Sequence, residues 1–230
     1  MYRYETHLHT YPVSKCARVN VRENLEFYKS IGYDGVFITN HFLDGNINAD
    51  KELAYEERLA FYLSDYEEGK RIGEEIGIKV FFGVEMTYKG TDFLVYGLDG
   101  EWYMKHPEIM DMKKSEELPY LAEHGAFIVH AHPFREARYI DHIRLFPRCV
   151  HGCEVINACR TEFENKMADI YADSYGLYKI AGSDNHSGAA QEKLAGMECD
   201  IPVTSEAHFI ELVKNGQAKI FTVSMEQVTC

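Results

Sequence analysis

Residues 5–10 read ETHLHT, and residues 181–186, near the other end of the chain, read AGSDNH. Each places two metal-binding side chains two positions apart, beside an apolar, β-prone run: His7 with His9, and Asp184 with His186. Residues two apart on a strand share a face, so each pair can aim both donors at one point. Three more such runs lie between them. His41 closes FITNH (37–41), Glu85 closes FFGVE (81–85), and His132 lies in VHAHP (129–133). In a β/α barrel the strand ends converge on one mouth, where residues far apart in sequence ring a single site. Imidazole and carboxylate without paired thiolates is the donor set of a catalytic Zn, Mn or Fe centre. The expectation is an α/β barrel that works as a metal-dependent hydrolase.

Taken singly, each segment has a plainer reading. A strand histidine is commonly a hydrogen-bonded core residue, and Gly, Ser, Asp and Asn at 182–185 are turn formers. Glu85 ends an apolar strand, where an unpaired carboxylate is costly to bury and calls for a cation or several donors. The order of the segments on successive strand–helix units is what makes the set specific.

Outward from these segments, strand and helix patterns alternate along the chain. Strands are expected at 2–7, 35–39, 78–86, 92–98, 126–131, 150–156 and 178–181. Helices are expected at 21–30, stopped by Gly32, then at 51–76, ahead of His124, and at 162–174. The tail reads as a short strand, a helix over 206–214 and a final strand. No repeat, linker or Gly-rich phosphate loop interrupts the series, which favours one domain over 1–230 and a barrel over a dinucleotide fold.

Composition limits the function classes. At 230 residues and 46% hydrophobic, the chain has the length and apolar content for a core. A formal charge of −13 argues against general nucleic-acid binding, while a local basic pocket for phosphate stays compatible with it. No apolar run reaches the roughly 18 residues of a membrane span, and MYRYETHLHT lacks a signal-peptide core, so a cytoplasmic protein is expected. The six cysteines then read as thiols, and Cys149, His151 and Cys153 lack a second pair at zinc-finger spacing.

The ordered set, HLHT, ITNH, GVE, AHPFR and GSDNH, with EVINACR ahead of the last, resembles the polymerase-and-histidinol-phosphatase (PHP) family of metal-dependent phosphoesterases. The resemblance runs from Tyr4 to about Phe221. It implies a distorted (β/α)7 TIM-like barrel of the PHP type, with two or three divalent metals (Zn, Mn or Fe) at the C-terminal strand ends. By that resemblance His7, His9, Glu85 and Asp184 would hold one metal. Glu85 would bridge to a second held by His132, and His41 and His186 would hold a third. A further family ligand falls in TDFLVYGL (91–98), which makes Asp92 its candidate. Two departures bear on the third site: the loop TYPVSKCAR (10–18) offers no carboxylate, and Asn40 stands where the family has Asp. Two metals are therefore the firmer expectation.

Such a centre would activate water for in-line attack on phosphorus, with arginine meeting the developing charge. Arg135, Arg160 and Arg18 are the substrate-binding candidates, since a guanidinium fork matches phosphate oxygens. His130 and His186 are candidates to protonate the leaving group. The expected partner is a small phosphorylated metabolite, such as histidinol phosphate or a nucleoside phosphate, with no membrane involved. Hydrolysis of a non-phosphate bond, as in amidohydrolases, and a non-catalytic metal-binding module are the alternatives.

Overall fold

The structure, a computed structural model, describes residues 1–225. Its elements run β1 (Tyr2–Leu8), α1 (Val21–Ser30), β2 (Gly35–Ile38), α2 (Tyr55–Ile76), β3 (Lys79–Tyr88) and β4 (Thr91–Tyr96). There follow α3 (Gly100–Lys105), α4 (Lys114–Glu123), β5 (Phe127–Ala131), β6 (Gly152–Asn157), α5 (Glu162–Tyr175) and β7 (Tyr178–Gly182). The last described elements are β8 (Lys193–Cys199), α6 (Glu206–Lys214) and β9 (Ala218–Ser224). Local signals set these bounds. The Asn20 and Ser205 side chains cap α1 and α6 by accepting from backbone N–H groups, and Thr161 and Glu164 form a capping box on α5. Among the described residues no helix is long and apolar enough to cross a membrane.

The strands form a nearly closed nine-stranded barrel in the order β7-β6-β5-β4-β3-β2-β1-β8-β9. The first seven make the ring, because a parallel bridge between Leu8 and Asn185 joins the end of β1 to the segment after β7. The antiparallel β8–β9 pair, connected through α6, fills the gap at the other end, with β8 pairing with the start of β1 through Tyr2 and Cys199. Seven strands in the ring agree with the expected (β/α)7 plan. Strict strand–helix alternation does not hold, however. Lys89 and Gly90 adopt φ of 50° and 82°, the tight turn of a two-residue hairpin, so β4 runs antiparallel to both β3 and β5 with no helix between β3 and β4.

The barrel interior has two layers. Its lower layer is aromatic: Tyr4, Phe37, Phe81, Tyr96 and Phe127 are all at most 4% exposed and belong to one core cluster. From α6, Phe209 packs against Phe37 with ring centroids 4.7 Å apart and against Tyr96 at 6.1 Å. Helices α1 and α2 cover the outside through Leu8, Val21, Leu25, Tyr28, Ile38 and Ile72. A register shift between Glu5 and Leu8 links the two layers. Before it, Tyr4 faces the inner core. After it, Leu8 faces the outer cluster and its neighbours His7 and His9 turn into the mouth.

Candidate metal centre

The inner face continues upward from the aromatic layer to the strand ends. Two residues past Gly83 on β3 comes Glu85, four past Phe37 comes His41, and four before Tyr96 on β4 comes Asp92. Period-2 geometry carries each onto the same inner face. Glu85 sits at the centre, 1% exposed. Its Oε1 lies 3.2 Å from His7 Nε2 and 3.3 Å from His132 Nε2. Its Oε2 lies 3.2 Å from His9 Nε2 and 2.7 Å from His41 Nδ1. Asp184 Oδ1 is 3.5 Å from both His7 and His9, and Asp92 Oδ2 is 3.9 Å from His132. Three overlapping groups have donor atoms within 4.8 Å of one another: His7, Glu85 and His132; His7, His9 and Asp184; and His9, His41 and His186.

Hydrogen bonds fix which imidazole nitrogen faces the mouth. Glu154 Oε1 accepts from His7 Nδ1 at 2.9 Å. The Ser14 hydroxyl donates to Asn40 Oδ1 at 2.7 Å, so it accepts from His9 Nδ1 at 3.0 Å. Likewise His186 Nδ1 donates to the Asp184 carbonyl at 2.8 Å. In these tautomers the Nε2 lone pairs of His7 and His9 face each other at 3.1 Å, a contact that is repulsive unless a proton or a metal ion lies between them. His41 Nδ1 and Glu85 Oε2 are both buried without a hydrogen bond of acceptable geometry, although they are close. Opposed lone pairs, orphaned donors and a mixed imidazole–carboxylate set all fit divalent ions.

The electrostatics follow from the crowding. Burial alone would raise the Glu85 carboxyl, but His41, His7 and His9 hold it well below the usual carboxylate range. Asp184 is held down in the same way by His7 and His9. The two histidines of β1 diverge. Burial disfavours charge on both, yet Glu154, Asp184 and Glu85 carry His7 well above its ordinary value, whereas His186 and His41 add to burial and lower His9. Asp92 is pushed up by burial and by Glu85. Backbone strain marks the same place. His132 and Asp184 hold φ of 28° and 53°, values that non-glycine residues rarely adopt. Gly182 is required by close approach, since a Cβ there would lie 2.6 Å from His7 Cβ and 2.8 Å from Glu154 Oε1.

A scan against protein-family models finds no match, and a search of curated proteins finds none. Solved structures do match. A two-domain protein from Bacteroides vulgatus ATCC 8482, containing a region assigned as a PHP-like metal-dependent phosphoesterase, superposes at a TM-score of 0.72 and 15% identity. The match covers 96% of this chain, which spans 64% of the length of that protein. The fold is of the PHP type. A protein from Bifidobacterium adolescentis assigned as a metal-dependent phosphoesterase gives a TM-score of 0.59 at 12% identity, over 92% of this chain and 95% of its own. An amidohydrolase from Chromobacterium violaceum, solved with sulfate and no metal, gives 0.58 at 13%, over 94% and 97%.

Within this PHP-type barrel the structure brings His7, His9, His41, Glu85, Asp92, His132, Asp184 and His186 to one mouth. His130 is not among them. The spacing of His130 and His132 suggests a shared face, but the left-handed backbone at His132 breaks that relation. His130 points outward, fully buried, with its ring stacked on Phe93 at 5.1 Å and edge-on to Phe146 and Tyr171. Burial and nearby His132 lower its pKa to about 3, so it stays neutral. Its expected place beside the cluster is therefore corrected.

Arg135 reaches the mouth. Its Nη1 lies 3.4 Å from Asp92 Oδ2 and its Nη2 donates to Tyr139 Oη at 2.6 Å. Arg160 instead lines a separate cavity of about 400 Å3 near the rim, with Lys193 and Ser224. Arg18 is exposed, and it is its backbone N–H that meets the site, donating to the His186 carbonyl at 2.9 Å. Cys149, His151 and Cys153 form no ligand group among the described residues. His151 Nδ1 accepts from Ile128 N at 3.0 Å, and Cys153 packs against α5.

The residue pattern gave no role to several groups that hold the ligands. Glu154 grips His7 and also accepts from His132 N at 3.0 Å. Asn40 accepts from Thr10 N and the Ser14 hydroxyl, both at 2.7 Å, while Asp65 on α2 accepts from the Thr10 hydroxyl at 2.6 Å. The signal for Glu154 was a buried-strand carboxylate in EVIN, the same signal that singled out Glu85. Cys16 is the other omission. Burial would raise its thiol, but hydrogen bonds with His186 and His41 bring it down to about 5.

Proposed function

We propose that this PHP-type chain is a metal-dependent phosphoesterase acting on a small phosphorylated metabolite. The arrangement around Glu85 carries the reading: one buried carboxylate at the centre of four imidazoles, His7, His9, His41 and His132, where it can bridge adjacent ions. His7, His9, Asp184 and Glu85 would hold one ion, and Glu85, His132 and Asp92 a second. The chemistry supplied on binding is Lewis-acid polarisation of a phosphoryl oxygen and a lowered pKa of water. Glu154 and Ser14 keep His7 and His9 in the ligating tautomer throughout. Arg135 is the phosphate clamp. Its guanidinium sits over the mouth with a buried Nε that lacks a partner, and its pairing with Asp92 keeps it charged despite burial. In a chain of formal charge −13, a mouth carrying Arg135 and loaded with divalent ions would confine anion binding to one place. That arginine weighs against the amidohydrolase reading.

The test is a panel of phosphate monoesters, phosphate diesters and non-phosphate esters and amides, assayed after chelation and reloading with Mn, Fe or Zn. Metal-restored phosphate release is expected. Protein shown to hold metal yet releasing no phosphate with any ion would refute the proposal.

A further inference from the structure

Behind His9 a buried polar network runs from the mouth to α2. Thr10, Ser14, Asn40 and Asp65 are each at most 3% exposed, and their side chains bond to one another. The direction of each bond follows from groups that can only donate. The Thr10 N–H lies 2.7 Å from Asn40 Oδ1, so that atom is the amide oxygen. The Ser14 hydroxyl, 2.7 Å from the same oxygen, must then donate to it. His41 N donates to Ser14 Oγ at 3.1 Å, which leaves that hydroxyl one lone pair, and His9 Nδ1 meets it at 3.0 Å. His9 Nδ1 therefore carries the proton, and its Nε2 is left for the mouth.

The other side of Asn40 is pinned as firmly. Its Nδ2 donates to Thr10 Oγ1 at 2.7 Å, and the Thr10 hydroxyl donates onward to Asp65 Oδ2 at 2.6 Å. Val13 N also points at Asp65 Oδ2, at 3.4 Å, so the carboxylate holds the loop after His9 at two positions. Asp65 lies on α2, and the network thus ties a helix outside the barrel to an imidazole inside it.

Asn40 stands where the resembled family has Asp, and Asp65 gives the reason. An aspartate at 40 would put a carboxylate oxygen where Nδ2 lies, 3.4 Å from Asp65 Oδ2. Two buried carboxylates would then compete for the one Thr10 hydroxyl hydrogen. We propose that Asn40 and Asp65 form a single positioning unit for the metal ligand His9: the amide fixes the ring through Ser14, and the carboxylate fixes the amide through Thr10. The carboxylate missing from loop 10–18 and from position 40 is supplied instead by α2. The proposal rests on the metal reading of the mouth and is independent of whether the substrate is a phosphate.

Exchanging the two side chains tests it without any activity measurement. Asn40→Asp should weaken zinc binding, measured by competitive chelation, roughly 10–100-fold. It should also lower the Tm of the metal-free protein. The double variant Asn40→Asp/Asp65→Asn moves the carboxylate across the pair, and it should regain the lost Tm and bind zinc within about threefold of wild type. Ser14→Ala cuts the link between the pair and the ring. Nitrogen-15 NMR of the metal-free protein should show His9 protonated at Nδ1 in the wild type and as a mixture of tautomers in Ser14→Ala. A double variant no better than Asn40→Asp, or a Ser14→Ala protein that keeps the wild-type His9 tautomer, overturns the proposal. A wild type that binds no zinc would fail the metal reading instead, while the Tm exchange and the tautomer would still show whether the unit holds His9.

Discussion

Phe37 and His41 lie four residues apart on one strand path and face the same interior, yet they serve opposite ends of the barrel. Around Phe37 three rings pack: Phe81 at 4.8 Å, Tyr96 at 5.3 Å and Phe209 at 4.7 Å. Around His41 the neighbours are Glu85 Oε2 at 2.7 Å and His9. The lower layer satisfies itself by apolar burial, worth about 1.5–3 kcal/mol for each fully buried large side chain. The upper layer is left incomplete, with donors held in place by groups behind them and lone pairs turned toward one another. The same strands therefore separate stability from chemistry along their length, as barrels do in general.

The sharpest way to break this division is to delete a ligand. Asp184→Ala or His7→Ala should abolish metal-dependent phosphate release and lower the bound-metal count, with the metal-free fold retained by circular dichroism. Activity in both variants would undo the assignment. The converse change, Phe37→Ala, should cost about 3–5 kcal/mol of stability in denaturant unfolding while the folded fraction keeps its full metal complement. Metal loss without loss of stability would mean the layers are not separable in this way.

Smaller effects sharpen the boundary between the layers. Glu154→Gln removes no ligand but weakens the hold on His7, so metal affinity by competitive chelation should fall roughly 10–100-fold. Arg135→Ala should raise KM for a phosphate monoester by a similar factor, with the bound-metal count unchanged. His130→Phe should be the mildest. It replaces a neutral, outward-facing ring among Phe93, Phe146 and Tyr171, so activity should stay at the wild-type level and Tm should hold or rise. A His130→Phe protein without activity would return that residue to the mouth.

Much of this was legible in the residues themselves. The helix at 21–30 and the one at 206–214 match the structure residue for residue, because Asn20 and Ser205 announce their starts. The ligands could be read because a donor just beyond an apolar strand has few other uses, and because barrel strands bring their ends together. The shift in β1 could not be read, since period-2 logic has no means of locating a bulge inside YETHL. The same logic misplaced His130, where one left-handed residue reverses the face. The β3–β4 hairpin was hidden because Lys-Gly is a weak turn signal and the flanking strands suit either orientation. Residues such as Ser14, Asn40 and Asp65 matter only through contacts that join distant parts of the chain, and no local pattern marks them.

The central claim is that Glu85 bridges adjacent metal ions in a mouth built from the ends of six strands. Anomalous diffraction from crystals of the metal-loaded protein, recorded at the absorption edge of the bound metal, tests it most directly. One peak is expected beside Glu85 among His7, His9 and Asp184, and another on its far side toward His132 and Asp92. A single peak away from Glu85, or metal bound only at the protein surface, would contradict it.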